Sequence, residues 1–275
     1  MNILESIIYG LISGLSEFLP ISSLGHQRVL KTLFDAPIHE PILDFMVHIG
    51  FLIAIFVSCG TYIEKIRRIL RLSGSRRRQI RNHDYAVFHD IRYVKNAAFP
   101  LMIGLVVFLL IERSRTNLKG IALLFLINGI FMYIPDYLPQ SNKDSRKLSN
   151  LDGFLAGLLG SLAAFPGISR VGMSLSTTVS RGADKSKAYN WILILSIPAI
   201  VLMLLADLII LFQVGFQGIT LLSILGYLIS GLASFGASLT GIYLMRFIVE
   251  RSGFSAFAFY SWGAALIALL LYLSV

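Results

Sequence analysis

The sequence predicts an all-α polytopic membrane protein made of two related halves. Of its 275 residues, 56% are hydrophobic and only 14% are charged, which is more apolar surface than a soluble domain of this size can bury. Six apolar runs approach the length that crosses a bilayer, and two other segments combine Pro, Gly and Ser and resemble each other. We therefore expect one integral membrane domain spanning residues 1–275.

The six apolar runs are each predicted to form a transmembrane helix. A helix needs about 20 apolar residues to cross the hydrocarbon core, and about 17 can suffice. The third run is short, so we place the start of its helix near Leu118. The predicted spans are 42–62, 95–111, 121–134, 188–212, 219–245 and 254–275.

The segment EFLPISSLGH at residues 17–26 recurs, altered, as AFPGISRVGM at residues 164–173. The offset is a constant 147 (164 − 17), and Phe, Ile, Ser and Gly match at four of the ten positions. Proline interrupts a helix, and irregular backbone at membrane depth is tolerated only where protein or a water-filled cavity covers it. We therefore predict re-entrant helix hairpins over 1–36 and 151–187, each followed by three transmembrane helices.

An odd number of spans in each half predicts an inverted repeat, with halves of about 1–140 and 148–275. The two hairpins would enter from opposite faces and meet near the midplane, where inverted-repeat membrane proteins place their binding sites. Ten of the 24 Lys and Arg residues lie between Lys65 and Lys95, which favours a cytoplasmic location for that segment. Such a cluster can contact anionic membrane lipids. It lacks interleaved aromatic residues, so we expect no nucleic-acid binding.

Arg170 lies inside the second interrupted segment. A guanidinium within a membrane is costly and usually functional, and its planar fork suits phosphate or carboxylate. Backbone amides of the adjoining Pro166-Gly167 turn, near a helix N-terminus, would also favour an anion. The alternatives are a structural ion pair, for example with Glu17, or a side chain that reaches the membrane surface.

The first interrupted segment carries the complementary groups. Glu17 could bind a divalent cation or act as a general acid or base. Ser22 and Ser23 offer hydroxyls that become nucleophilic beside a base, although serines after a proline are often helix caps. His26 follows Ser23 by one helical turn and could share its face. His48, in a predicted span, is either a core histidine or part of the site.

Four segments carry a resemblance to a known family: residues 16–26, 45–54, 165–170 and 247–260. With these motifs the chain resembles, over nearly its whole length, the undecaprenyl-diphosphate phosphatase family, also called the bacitracin-resistance family. The resemblance implies a multi-pass enzyme of the bacterial plasma membrane. It would hydrolyse the C55 isoprenyl diphosphate carrier to the monophosphate for cell-wall synthesis, at a site toward the outer face.

The resemblance also implies roles for individual residues. Glu17 would serve in metal binding or catalysis, Ser23 as the nucleophile, and His26 as a base or acid. A divalent cation, Mg²⁺ or Ca²⁺, is implied as the cofactor. The residues implied in binding the diphosphate are Arg170, Ser169, Ser22, Gly167 and Ser174.

The chain departs from the family pattern at Ser13, where the first motif usually has a second acid, and at Val171, where serine is usual. Ser174 replaces a threonine, which is a mild change. Losing one of two carboxylates weakens a site for a hard cation, which relies on oxygen ligands and negative charge. We therefore expect reduced or altered phosphatase activity.

A second function class is compatible with the same sequence. An inverted repeat is also a transporter architecture, so the chain could bind an isoprenyl phosphate and translocate it without hydrolysis. We favour hydrolysis because Glu17, Ser23, His26 and Arg170 are all present. Small residues between Gly226 and Gly241 permit close helix packing, either within the chain or in a homodimer.

Overall fold

The structure, a computed structural model, describes residues 1–37, 40–71, 85–112, 116–139, 142–215, 220–251 and 253–274. Ten α-helices lie within these ranges, and two short 3-10 helices cover Ile134–Tyr137 and Leu162–Ala164. The α-helices are α1 (Ile3–Phe18), α2 (Ser23–Leu33), α3 (Pro41–Arg71), α4 (Tyr85–Glu112), α5 (Leu118–Tyr133), α6 (Asn150–Ser161), α7 (Arg170–Ser180), α8 (Lys185–Val214), α9 (Leu221–Arg251) and α10 (Ser255–Ser274).

Six of these helices, α3, α4, α5, α8, α9 and α10, are long and apolar enough to cross a membrane. The predicted class, an all-α polytopic membrane protein, is confirmed. Two of these helices extend beyond the apolar segments that predicted them. Helix α3 continues to Arg71, and helix α9 continues to Arg251. Residues 72–84 of the basic segment 65–95 lie outside the described residues.

The two interrupted segments form helix hairpins, as predicted. The first breaks at Leu19 and Pro20, and α2 restarts at Ser23 under a cap from the Ser22 side chain. The second breaks between α6 and α7, and the Ser169 side chain caps α7 by accepting a hydrogen bond from the Gly172 amide. A hairpin followed by three long helices therefore occurs twice along the chain.

Corresponding glycines in the two hairpins pack against the opposite half. A side chain at Gly10 in α1 would collide with the backbone of Ser230 in α9, and one at Gly157 in α6 would collide with the backbone of Ala97 in α4. Gly10 and Gly157 differ by the repeat offset of 147 (157 − 10). This reciprocal packing is expected of two related halves, and the inverted orientation of those halves stays a prediction.

The stripe of small residues on α9 packs within the chain. The hydroxyls of Ser234 and Ser238 donate to the carbonyls of Val47 and Gly14 at 3.0 and 3.3 Å. A side chain at Gly231 or Gly241 would press on the carbonyl of Met46 or Leu15. These contacts hold α9 against α1 and α3, so most of this stripe is used inside one chain. Gly236 alone among these glycines faces open space.

Candidate active site

The turns of the two hairpins are joined by direct hydrogen bonds. The Gly167 amide donates to Ser22 Oγ at 3.0 Å, and Ser169 Oγ donates to the Leu19 carbonyl at 3.4 Å. Ser22 and Gly167 both adopt positive φ, at 69° and 115°. Such conformations are costly for a serine and persist only where the surroundings fix them. These contacts hold the two turns together in the interior of the bundle.

Asn128, a fully buried residue of α5, connects the same two turns. Its Nδ2 donates to the Pro20 carbonyl at 3.0 Å, and its Oδ1 accepts from the Ser169 amide at 2.9 Å. The same Nδ2 also donates to Ser261 Oγ in α10. In the sequence, Asn128 is an isolated polar residue in an apolar run. Its contacts make it the central tie between the hairpins.

Arg170 and Glu17 form a buried ion pair across the two hairpins. Arg170 Nη2 donates to Glu17 Oε1 at 2.5 Å, and the side chains are only 5% and 7% exposed. Arg170 Nε and Nη1 are buried without a hydrogen-bond partner among the described residues. Buried donors normally have a hydrogen-bond partner. These two N–H groups are therefore suited to donate hydrogen bonds to the oxygens of an anionic ligand.

Ser23 lies in the same cavity as this ion pair. Its hydroxyl donates to the Ser13 carbonyl at 3.3 Å and accepts from Gln27 Nε2 at 3.2 Å. The cavity measures about 20 Å³ and is lined by the polar residues Glu17, Ser23, Ser169 and Arg170 and the apolar residues Leu24, Ala163, Ile168 and Met203. This volume holds about one water molecule, so a diphosphate can enter only if the hairpins separate slightly.

The helices α2 and α7 both begin at this cavity. Ser23 is the first residue of α2, while Ser169 and Arg170 are the cap and first residue of α7. The positive ends of two helix dipoles therefore face the same space, which favours an anion there. Together with the unpartnered Arg170 donors, these helix starts favour an anion next to the Ser23 hydroxyl.

His26 is not hydrogen-bonded to Ser23 in this structure. Its Nδ1 lies 2.7 Å from the Ser22 carbonyl, and its Nε2 lies 2.9 Å from the Tyr260 hydroxyl. Since a carbonyl can only accept, Nδ1 carries the proton and Nε2 of the neutral ring accepts from Tyr260. The ring also stacks on Tyr260. His26 therefore holds the start of α2, and its transfer of the Ser23 proton stays a prediction.

Three other predicted site residues lie away from the cavity lining. Ser174 Oγ donates to the Ala156 carbonyl at 2.9 Å and joins α7 to α6. His48 Nδ1 lies 2.6 Å from Asp207 Oδ2, linking α3 to α8. Ser13 is fully buried one turn before Glu17, and its hydroxyl has no partner among the described residues. Tyr260 was missed as a site residue, although it ends the 247–260 segment that carries the family resemblance.

Glu17 is the candidate protein ligand for a divalent cation at this cavity. In the part of the chain that the structure describes, no three His, Cys, Asp or Glu side chains cluster closely enough to hold a metal ion by themselves. Glu17 is the one carboxylate lining the cavity, and only its Oε1 is engaged by Arg170. Because Mg²⁺ is commonly bound through one or two carboxylates plus substrate phosphates, Glu17 can supply the protein ligand.

Comparison with known proteins identifies the family. The family model described as "Bacitracin resistance protein BacA" matches residues 6–267. "Undecaprenyl-diphosphatase 3" of Bacillus cereus is 30% identical, with 98% of each chain covered. "Undecaprenyl-diphosphatase" of Thermosipho africanus is 28% identical, with 96% of this chain and 98% of the relative covered. "Undecaprenyl-diphosphatase" of Carboxydothermus hydrogenoformans is 27% identical, with 95% of this chain and 94% of the relative covered. The chain therefore belongs to the bacitracin-resistance protein BacA family.

Proposed function

We propose that this protein hydrolyses undecaprenyl diphosphate to undecaprenyl phosphate and inorganic phosphate in the cavity between the two hairpin turns. The observation that carries this proposal is the guanidinium of Arg170, whose Nε and Nη1 are buried without partners beside Ser23 and Glu17. The names of the relatives support the substrate, and the electropositive helix starts support a phosphate ligand.

Substrate binding begins with a change of partner for Arg170. The phosphate oxygens take the free Nε and Nη1 donors and compete with Glu17 for Nη2, which releases the carboxylate. The guanidinium and the helix starts then stabilise the negative charge on the terminal phosphoryl group. Catalysis of phosphoryl transfer depends chiefly on such positioning and charge stabilisation.

In the chemical step, Ser23 Oγ bonds to the terminal phosphorus, and the bond from that phosphorus to the bridging oxygen breaks. Undecaprenyl phosphate leaves with the bridging oxygen and its electron pair. The freed Glu17 carboxylate accepts the serine proton, because it shares the cavity with Ser23 whereas both His26 nitrogens are engaged. Glu17 passes this proton to the departing bridging oxygen. Water then attacks the phosphorus of the phosphoserine, and the bond from that phosphorus to Ser23 Oγ breaks. Glu17 moves a proton from the water to Ser23 Oγ, and inorganic phosphate departs.

A divalent cation, Mg²⁺ or Ca²⁺, completes the proposed site, with Glu17 and the phosphate oxygens as its ligands. When bound, it offsets the charge of the diphosphate. The basic residues at 65–95 support a cytoplasmic position for that end of the bundle. This orientation supports an entrance for the first hairpin at the outer face of the plasma membrane.

Phosphate release from purified protein tests this proposal. Wild type in detergent with Mg²⁺ or Ca²⁺ should release phosphate from C55 diphosphate or its C15 analogue. Arg170→Ala should abolish release, while Arg251→Ala should not, because Arg251 lies on an exposed turn of α9 over the Phe247 ring. Equal loss in both variants, or none in Arg170→Ala, would contradict the proposed site.

A further inference from the structure

A second cavity, of about 520 Å³, opens where α3 ends and α4 begins. Its walls come from α3, α4, α8 and α9 and from residues 144–146, and it shares no residue with the Glu17–Arg170 cavity. Basic residues assign this end of the bundle to the cytoplasmic side. The proposed hydrolysis makes no use of it.

The carboxylates in this second cavity are already satisfied by donors. Asp90 accepts from the Tyr62 hydroxyl at 2.7 Å and from Ser145 Oγ at 2.5 Å. Asp144 is paired with the Arg146 side chain, whose Nε donates at 2.8 Å. This hydrogen bond holds the pKa of Asp144 below its ordinary value, and the nearby Lys187 charge acts in the same direction. Little acceptor capacity is left for a cationic ligand.

Two cationic side chains that line this cavity, Arg246 and Lys187, have no carboxylate partner among the described residues. The half-buried Arg246 guanidinium donates to the Ser58 carbonyl, with Nη1 and Nη2 both at 3.3 Å, and contacts Cys59 Sγ. No carboxylate among the described residues lies within ion-pair distance of Arg246 or of Lys187. The Asn190 side chain lines the cavity beside them. Asp90 is the one lining carboxylate here that is paired only with neutral hydroxyls, so Arg246 and Lys187 leave this cavity with a net positive charge among the described residues.

We propose that this second cavity binds a phosphate group, carried either by inorganic phosphate or by a lipid monophosphate. A guanidinium fork and an ammonium together match a dianionic oxygen cluster, and charge-assisted hydrogen bonds to them are strong. Tyr62 and Trp191 provide apolar walls around that group. The proposal does not depend on catalysis at the Glu17–Arg170 cavity.

Tryptophan fluorescence offers a local measurement, because Trp191 lines the cavity and the chain has only one other tryptophan, Trp262. In a Trp262→Phe protein, inorganic phosphate and farnesyl monophosphate are titrated separately at constant ionic strength, with chloride as the reference anion. We expect a saturable change with at least one phosphate probe and none with chloride. A saturable change with phosphate alone identifies the free anion as the ligand, and one with farnesyl monophosphate alone identifies the lipid-borne group.

Variants decide whether the signal comes from this cavity. Arg246→Gln and Lys187→Gln should each weaken binding by about tenfold, the effect of losing one charge-assisted contact. Arg251→Gln, on the next turn of α9 outside the cavity, should bind like the parent.

Two outcomes would overturn the proposal. These are no saturable change with either probe, or unaltered binding in both Arg246→Gln and Lys187→Gln. Lys187 is exposed at the start of α8, so its variant keeps the test valid even if Arg246→Gln folds poorly.

Discussion

Arg170 and Glu17, 153 residues apart in sequence, form an ion pair at 2.5 Å between the turns of two helix hairpins. One guanidinium nitrogen engages the carboxylate, and the other two are buried without partners among the described residues. The pair thus stabilises the closed site and also supplies the donors that a diphosphate requires. A ligand that occupies these donors weakens the hold of Arg170 on Glu17.

The first prediction separates the structural role of this pair from its catalytic role. Arg170→Gln leaves Glu17 buried without its partner, which should cost about 3–5 kcal/mol of folding free energy and lower activity by roughly 10²–10³-fold. The double variant Glu17→Gln/Arg170→Gln removes both charges, so it should recover most of the stability but none of the activity. Thermal unfolding in detergent and phosphate release measure the two effects.

Arg181→Gln is the matched control for that experiment. Arg181 pairs with Asp152 at 2.5 Å, but its side chain is 50% exposed, and ion pairs with such exposure contribute at most about 1 kcal/mol. If Arg170→Gln unfolded no more readily than Arg181→Gln, the buried pair would not be the stabilising contact described here.

The second prediction concerns Ser13. Ser13 lies one turn before Glu17 on the same side of α1 and is fully buried, with an unpartnered hydroxyl. Ser13→Glu should add a second carboxylate near Glu17, the proposed cation ligand. We therefore expect this variant to release phosphate faster and to need less Mg²⁺ for half-maximal activity. Ser13→Gln has nearly the same size without the charge and should not do so. Equal behaviour of the two variants would show that the missing acid does not limit activity.

The third prediction tests how His26 acts. Because its ring is fixed by the Ser22 carbonyl and the Tyr260 hydroxyl, Tyr260→Phe should reduce activity only modestly, by about fivefold, which corresponds to one lost hydrogen bond of about 1 kcal/mol. His26→Asn should remain measurably active, whereas Ser23→Ala should not. Steady-state phosphate release compares the three. If His26→Asn were as inactive as Ser23→Ala, His26 rather than Glu17 would be the proton acceptor.

The fourth prediction concerns the tie between the hairpins. Asn128→Ala would leave the Pro20 carbonyl and the Ser169 amide buried without partners, at a cost of about 1–3 kcal/mol for each group. We expect a lower unfolding temperature and lower activity together, because the turns carry the site. Asn96→Ala removes an exposed contact with Asn150 and should change neither. Similar unfolding temperatures for the two variants would show that the turns are held by other contacts.

Much of the fold followed from local patterns in the sequence. Apolar runs predicted the six long helices, and Pro20 and Pro166 marked where the two hairpins break. The ends of helices were predicted less well, because hydropathy detects only the stretch inside the hydrocarbon. The last turns of α3 and α9 reach Arg71 and Arg251. Hydropathy does not detect these turns as helix because they contain charged residues.

The site was predictable in composition but not in its contacts. The repeat predicted that Glu17 and Arg170 lie close together, because the matching segments of the two halves are expected to meet. The pairing of His26 with Tyr260 joins residues 234 apart, and no motif indicates it. Asn128 was visible as a polar residue in an apolar span, but its three hydrogen bonds depend on how α5 lies between the turns.

The most direct test of the account is phosphate release by purified wild type and by Ser23→Ala, with C55 diphosphate and Mg²⁺. Ser186→Ala, at the half-buried start of α8, serves as the control for a lost hydroxyl. The account predicts release by wild type and by Ser186→Ala, and none by Ser23→Ala. Release by Ser23→Ala at the wild-type rate, or a wild-type protein that binds the lipid yet releases no phosphate, would contradict it.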